Sequence, residues 1–486
     1  MIRAIVFAAA TLAATGVRAQ ETTAIQLPGH VVLTGVLAVD VDRDGRDDLV
    51  LACRDTKAER REIRVHLRAA EAPWFAGTPS RPPHAVETDV VAFTFADVTP
   101  APGRELVLFA PERAVAVEPD ADGAAKYVPL FTHDLVWPVA EPAFVLPLTD
   151  ATIDLDGDGQ DEVLVPQTDG AIAWRRNAGP VAMRVPPRRS PVAPAGGGPA
   201  SIGDSELRLS FGRSKGDRDG GPLVSVRTRT PICRALDLDG DGRRELVAIR
   251  NGRVFATSGD AASVRDVPLP LPADRLKVFD PAFDVQFADL DGDRRADLVL
   301  TTSASRDDEI EVRIDTFVTR ADGTWGEKAS GRLRMKALAV PPRLADVDGD
   351  GRVDLITVTV QTDALRSLTG GAPTALEAQL NVFRGGDGRF VAPAVSITSL
   401  RLPTKSERGG GTFVEVIAAD AGGTGAVLLR DGDTLQRRPF GRDGERLQLL
   451  PPTTTVPIPA KSRLDAAARG EVLVLGEHEL LHVRTR

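Results

Sequence analysis

Aromatic side chains are scarce here. They make up 5% of 486 residues, Tyr127 is the single tyrosine, and the four tryptophans (Trp74, Trp137, Trp174 and Trp325) follow no fixed spacing. A surface of repeated aromatic platforms for stacking sugars or bases is therefore not written into the chain. Only two cysteines occur, Cys53 and Cys233, too few for a disulfide-stapled scaffold. No stretch approaches the ~18 consecutive apolar residues of a transmembrane helix. The six histidines (His30, His66, His84, His133, His478 and His482) are scattered, and neither a zinc motif nor a serine nucleophile elbow is present. The net charge of −9 argues against a nucleic-acid partner.

Hydrophobic and charged contents of 42% and 27% are those of an ordinary folded protein, and 45 glycines with 36 prolines announce many turns. The chain opens MIRAIVFAAATLAATGVRAQ. A basic Arg3, an apolar run from Ala4 to Ala14 and a small-residue ending at Ala19 make residues 1–19 an expected export signal. No cysteine follows it for lipid attachment, and a secreted or periplasmic destination is expected.

The strongest signal is repetition. DVDRDGRDDLVL begins at Asp40, DLDGDGQDEVLV at Asp154, DLDGDGRRELVA at Asp237, DLDGDRRADLVL at Asp289 and DVDGDGRVDLIT at Asp346. The step from 289 to 346 is 57, and that from 40 to 154 is 114, twice as long, so a copy is due at 97. FADVTPAPGRELVLFA stands there, keeping Asp97, Glu105 and the aliphatic tail but not the acids between. Two more eroded copies, VIAADAGGTGAVLL around Asp420 and SRLDAAARGEVLVL around Asp465, bring the units to eight.

Each unit reads as strand, acidic turn, strand, strand, Gly/Asp turn, strand; the later turns are visible in DTFVTRADGTW and NVFRGGDGRF. Four short strands per ~45–60 residues describe an all-β propeller of about eight four-stranded blades, with seven possible. The last unit lacks a fourth strand, and TTAIQLP at 22–28 is spare, so the termini are expected to pair and close the ring. Residues 20–486 then form a single propeller. Two steps are overlong, which places a Pro/Gly/Arg-rich insertion near 175–232 and a smaller one near 361–380. Cys53 and Cys233 fall in different units across the ring, so two separate buried thiols are expected.

Acids crowded this closely repel one another unless a cation sits among them. Calcium takes six to eight hard oxygen ligands, and a glycine permits the bend that wraps a loop around it. The expected sets are Asp40, Asp42, Asp44 and Asp48; Asp154, Asp156, Asp158 and Glu162; Asp237, Asp239, Asp241 and Glu245; Asp289, Asp291, Asp293 and Asp297; and Asp346, Asp348, Asp350 and Asp354. The position-7 carbonyls of Arg46, Gln160, Arg243, Arg295 and Arg352 add a further donor each. Magnesium favours a tighter, wetter shell, and zinc or copper wants His or Cys. An EF-hand needs Glu at position 12, where Leu51, Val165, Ala248, Leu300 and Thr357 stand. In the Asp289 copy Arg294 replaces the glycine of the bend, which implies strain or weaker binding. Without Arg3 and Arg18 the net charge becomes −11; five Ca2+ ions add +10 and leave about −1.

The motif D-x-D-G-D-G-x-x-D/E-L/V-x-V resembles the FG-GAP and VCBS repeats of integrin alpha-subunit heads and many secreted bacterial proteins. The resemblance spans most of 30–486 and implies a loop joining the first two strands of each blade that holds structural calcium. It implies a scaffold and a cation, not a task. The expected role is a secreted, monomeric calcium-binding scaffold that presents loops to a protein or surface-polysaccharide partner. The alternatives are a carbohydrate-active enzyme, resembling the polysaccharide lyases of this fold, or a lectin.

Overall fold

A computed structural model describes residues 21–484, apart from breaks of which the longest are 133–144, 185–203, 212–223, 271–282, 361–374 and 404–413. The export signal expected at 1–19, Trp137, Asp156 and Asp420 lie outside the described residues. Among the described residues every regular element is a strand, and no helix is long and apolar enough to cross a membrane.

The strands form eight sheets of four or five, set in a ring, with one extra two-stranded hairpin at Gly385–Gly386 and Arg389–Phe390. This is an eight-bladed β-propeller. Blade one runs Val31–Val39, Asp48–Asp55, Arg60–His66 and His84–Val86, in spatial as in chain order. The expected copy at 97 is blade two, its turn joining Ala92–Ala96 to Glu105–Ala110. Blades three to six place the intact motifs at 154, 237, 289 and 346 between their first and second strands, and blade seven pairs Val414–Ile417 with Ala426–Asp431. Blade eight has Arg463–Ala467, Glu471–Leu475 and Glu479–Arg484, and Glu21–Gln26 adds its outermost strand. The pairing is antiparallel from Glu21 opposite Arg484 to Gln26 opposite Glu479. The ring thus closes through its two ends, leaving no first or last blade with an open edge.

The second strands are deeply buried. Glu105–Ala110, Asp354–Val360 and Glu471–Leu475 are buried at every residue, whereas the first strand Val31–Val39 is partly exposed at several. The reason is position: a second strand has a neighbouring blade on both faces, and a first strand borders the axis. The cores accordingly lie between blades. Val50 and Ile63 of blade one pack with Phe93, Phe95 and Leu108 of blade two, and Ile25, Leu473 and Leu480 of blade eight pack with Leu49, Leu51 and Phe75 of blade one. Fully burying each such side chain contributes about 1.5–3 kcal/mol. Cys53 and Cys233 are buried in separate core clusters, and burial pushes both thiols up to about 12.

The stretch 175–232 is not loop throughout. Gly179–Arg184 is the outermost strand of blade three, and Asp204–Phe211 pairs with the first half of the 13-residue strand Val224–Leu236, whose second half opens blade four. The alternation in SELRLSF and VSVRTRT carries the strand signal. In the second overlong stretch, Ala375–Phe383 is the third strand of blade six.

Candidate metal centre

The acidic loops share one hydrogen-bond plan. The carboxylate at position 1 accepts the amides of positions 4 and 6: Gly240 and Gly242 donate to Asp237 at 2.6 and 3.0 Å, Gly292 and Arg294 to Asp289 at 2.7 and 2.9 Å, and Gly349 and Gly351 to Asp346 at 2.7 and 2.9 Å. Asp154 does the same for Gly157 and Gly159, and Asp40 accepts from Asp44 and Gly45. The amide at position 7 donates to the carboxylate at 5 in all five loops, at 2.7–2.9 Å. Both positions 4 and 6 lie in the left-handed region, with φ of 62–85° in every copy. The motif's bend glycine at position 6 is thus matched by a second left-handed residue at position 4. Arginine occupies the left-handed slot twice, as Arg43 (φ 62°) and Arg294 (φ 72°), and for a side chain bearing Cβ that conformation costs ~1–2 kcal/mol.

Position 9 is buried in every intact copy. It clamps the hairpin by accepting the amide of position 2: Val41 to Asp48 at 2.8 Å, Leu155 to Glu162 at 2.7, Leu238 to Glu245 at 2.8, Leu290 to Asp297 at 2.9 and Val347 to Asp354 at 3.1. In blades one, five and six its other oxygen accepts an amide just beyond the third strand, from Arg68, Thr319 and Gly385. Burial pushes Asp48, Asp297 and Asp354 up to about 6, with the loop's other carboxylates adding to it against the opposing amide hydrogen bonds. Burial likewise pushes Glu245 to about 7.

Four loops bring three carboxylates to a common centre, with one oxygen of each within 4.8 Å of the others: Asp40, Asp42 and Asp48; Asp237, Asp239 and Asp241; Asp289, Asp291 and Asp297; Asp346, Asp348 and Asp354. Position 5 belongs to the trio only in the Asp237 loop. Asp44 and Asp293 instead pair with their own position-7 arginines, Arg46 and Arg295. In the Asp154 loop the described members are Asp154, Asp158, Gln160 and Glu162. The donor set is all oxygen and dense in negative charge, which suits a hard divalent cation such as calcium and not zinc or copper.

Several residues of this rim are invisible to motif reading. Asp348 is 3% exposed and holds two guanidiniums: Arg384 of its own blade, through Nε at 2.9 Å and Nη2 at 2.8 Å, and Arg442 of blade seven, at 3.1 Å. In acid-poor blade two, Asp97 meets Arg43 from the blade-one loop and, at 3.6 Å, Arg176 of blade three, while Arg104 forks onto Asp161 at 2.7 and 3.1 Å. At the closing seam, Glu471 opens the second strand of blade eight, the place position 9 holds elsewhere. It receives Arg68 of blade one at 2.9 and 2.6 Å and His482 Nε2 at 2.9 Å. Burial pushes the Glu471 carboxyl up, but His482 and Arg68 outweigh it and hold it below the ordinary range. The missing signal was sequence distance: these partners lie up to 403 residues apart.

The FG-GAP-like repeat family matches residues 289–357, which span the acidic loops of blades five and six. The chain is an eight-bladed β-propeller in which residues 289–357 are an FG-GAP-like repeat match. Similar solved structures include the V. cholerae biofilm matrix protein Bap1 (11% identity over 96% of this chain and 89% of that one, TM-score 0.36). A protein from Lactobacillus plantarum (12%, 90% and 97%, 0.30) and the alpha-L-arabinofuranosidase arb93a from Fusarium graminearum (10%, 95% and 98%, 0.27) are also similar. At these TM-scores the likenesses carry no argument about what this propeller does. Among curated proteins, none matches the chain.

Proposed function

We propose that this propeller is an exported binding scaffold whose acidic loops hold structural Ca2+, up to five ions, and so stiffen the rim on which a partner docks. The observation that carries the reading is the convergence of three carboxylates in each of four loops of one plan, at equivalent places in blades one, four, five and six. Each cluster concentrates negative charge that only a cation relieves, and a divalent ion held there ties the first strand to the second. The position-7 carbonyls complete the shell in this reading, and the Asp154 set makes the fifth site. The partner is a protein or a surface polysaccharide.

Two features weigh against the alternatives. Trp74, Trp174 and Trp325 are buried at 7–8% exposure, which withdraws three of the four tryptophans from any sugar-stacking surface. His66 and His482 are buried at the seam, with Nδ1 of His66 facing the Ala76 carbonyl and Nε2 of His482 on Glu471, a packing role and not a proton-transfer site.

The test is calorimetric calcium titration of chelator-stripped protein, with thermal unfolding in calcium and in chelator. The expected result is four or five bound ions and a melting temperature at least 10 °C higher with calcium; no binding and no shift would overturn the reading. A glycan array and a polysaccharide-depolymerisation assay on the same sample separate scaffold, lectin and enzyme.

A further inference from the structure

We infer that Arg384 and Arg442 compete with calcium for Asp348, making blade six the weakest calcium site on the rim and coupling its loading to blade seven. The inference rests on the calcium reading of the loops and adds which site fills last and why.

The loops of blades five and six are built alike. Asp289, Asp291 and Asp297 match Asp346, Asp348 and Asp354 in position and mutual distance. They differ at position 3. Asp291 is exposed, with an Asp293 amide as its partner at 3.2 Å, whereas Asp348 is buried beneath two guanidiniums that approach both its oxygens. Arg442 also donates to the Asp348 backbone carbonyl. It reaches there because the blade-seven loop leans on blade six: Ala419 and Gly425 donate to the Asp346 and Val347 carbonyls at 2.7 and 2.8 Å. A Cβ on Gly349 would lie 2.3 Å from the Gly423 carbonyl oxygen. Blade seven itself has no acid where the position-9 residue stands in the intact loops; Gly425 leads straight into Ala426–Asp431.

A guanidinium and a divalent ion on one carboxylate repel each other and compete for its lone pairs. Binding of either is weakened by the other, reciprocally, in the range of about 5- to 150-fold that is usual for linked ligands. Blade two shows the same substitution carried to its end, since Arg43 and Arg176 sit on Asp97 in a loop that has lost the acids between Asp97 and Glu105. The rim therefore grades from loops open to the metal, through the arginine-guarded loop of blade six, to the arginine-neutralised loop of blade two.

The experiment is calorimetric calcium titration of full-length wild type, Arg442→Gln, Arg384→Gln and the double variant, each repeated with Asp348→Asn. Both arginine side chains are part-exposed, and melting curves in chelator check that every variant folds. The expected result is that the weakest wild-type site tightens about tenfold in the double variant, with the other sites unchanged. That gain should vanish with Asp348→Asn, and Arg442→Lys should restore most of the weakening. Titrations that coincide for wild type and double variant would overturn the competition while leaving the calcium reading intact. Wild-type protein that binds no calcium would remove both.

Discussion

Blades five and six share seven of twelve letters, all four acids among them, in DLDGDRRADLVL and DVDGDGRVDLIT, and their loops match in plan yet not in electrostatic setting. In the blade-five loop the described ion pair is local, Arg295 with Asp293 two residues away. In blade six the acid at position 3 is claimed from outside by Arg384 and by Arg442, the latter 94 residues further along the chain. The motif specifies the hairpin and the donor atoms. The neighbouring blade decides how free those atoms are. A repeat read in isolation therefore gives the chemistry of a site but not its strength.

What the two loops share should produce the largest effect. Asp297 and Asp354 are 0% and 1% exposed, and burial raises both carboxyls from an ordinary 3.8 to about 6. A raised carboxyl pKa means that the folded, metal-free protein holds protons that the unfolded chain has released between pH 3.8 and 6. Stability in chelator should therefore fall as pH rises through that window, by at most about 3 kcal/mol for each carboxylate. Calcium, which needs the ionised form, should act the other way and stabilise more at pH 7 than at pH 5. Melting temperatures in chelator between pH 4.5 and 7.5 check this. Asp297→Asn and Asp354→Asn should each flatten the dependence by a similar amount; a flattening confined to one of them would break the parity of the two blades.

A smaller effect tests what separates them. Asp291→Asn removes a carboxylate with no guanidinium on it among the described residues, so in chelator it should change stability by less than about 0.5 kcal/mol while abolishing one calcium site. Asp348→Asn strips the charge that two arginines share. Discounted for the 30% and 43% exposure of the arginine side chains, the loss in chelator should be about 1–2 kcal/mol. Equal costs for the two substitutions, read from chemical denaturation in chelator, would dissolve the comparison.

Much of this was legible in the sequence because it is local. The acids at 1, 3, 5 and 9, the aliphatic second strands and the spare TTAIQLP lie within single units or at the two ends, so spacing alone yields the propeller, the copy hidden at 97 and the closing strand. Three things were not legible. The hairpin of Asp204–Phe211 with Val224–Thr230 was hidden by the proline- and glycine-rich stretches around it, which outweigh seven residues of alternation. The arginine guards of Asp348 and Asp97 and the Arg68–Glu471–His482 cluster join residues from different blades, and no period reports such contacts. The second left-handed residue at position 4 was masked because glycine there looks like one more flexible letter until its φ is seen beside that of Arg43.

That last point yields the smallest and cleanest test of the paired blades. At position 6, blade five has Arg294 at φ 72° and blade six has Gly351 at φ 82°, each donating its amide to the position-1 aspartate. Arginine there bears the Cβ penalty of the left-handed region, partly offset by glycine's greater freedom in the unfolded chain. Arg294→Gly should therefore stabilise the protein by about 0.5–1 kcal/mol, and Gly351→Ala should destabilise it by about 1 kcal/mol. Nothing lies within 4 Å of a Cβ on Gly351, so crowding would not confuse the result. Opposite signs in chemical denaturation would show that the two loops share one backbone requirement, which blade six meets with glycine and blade five meets under strain.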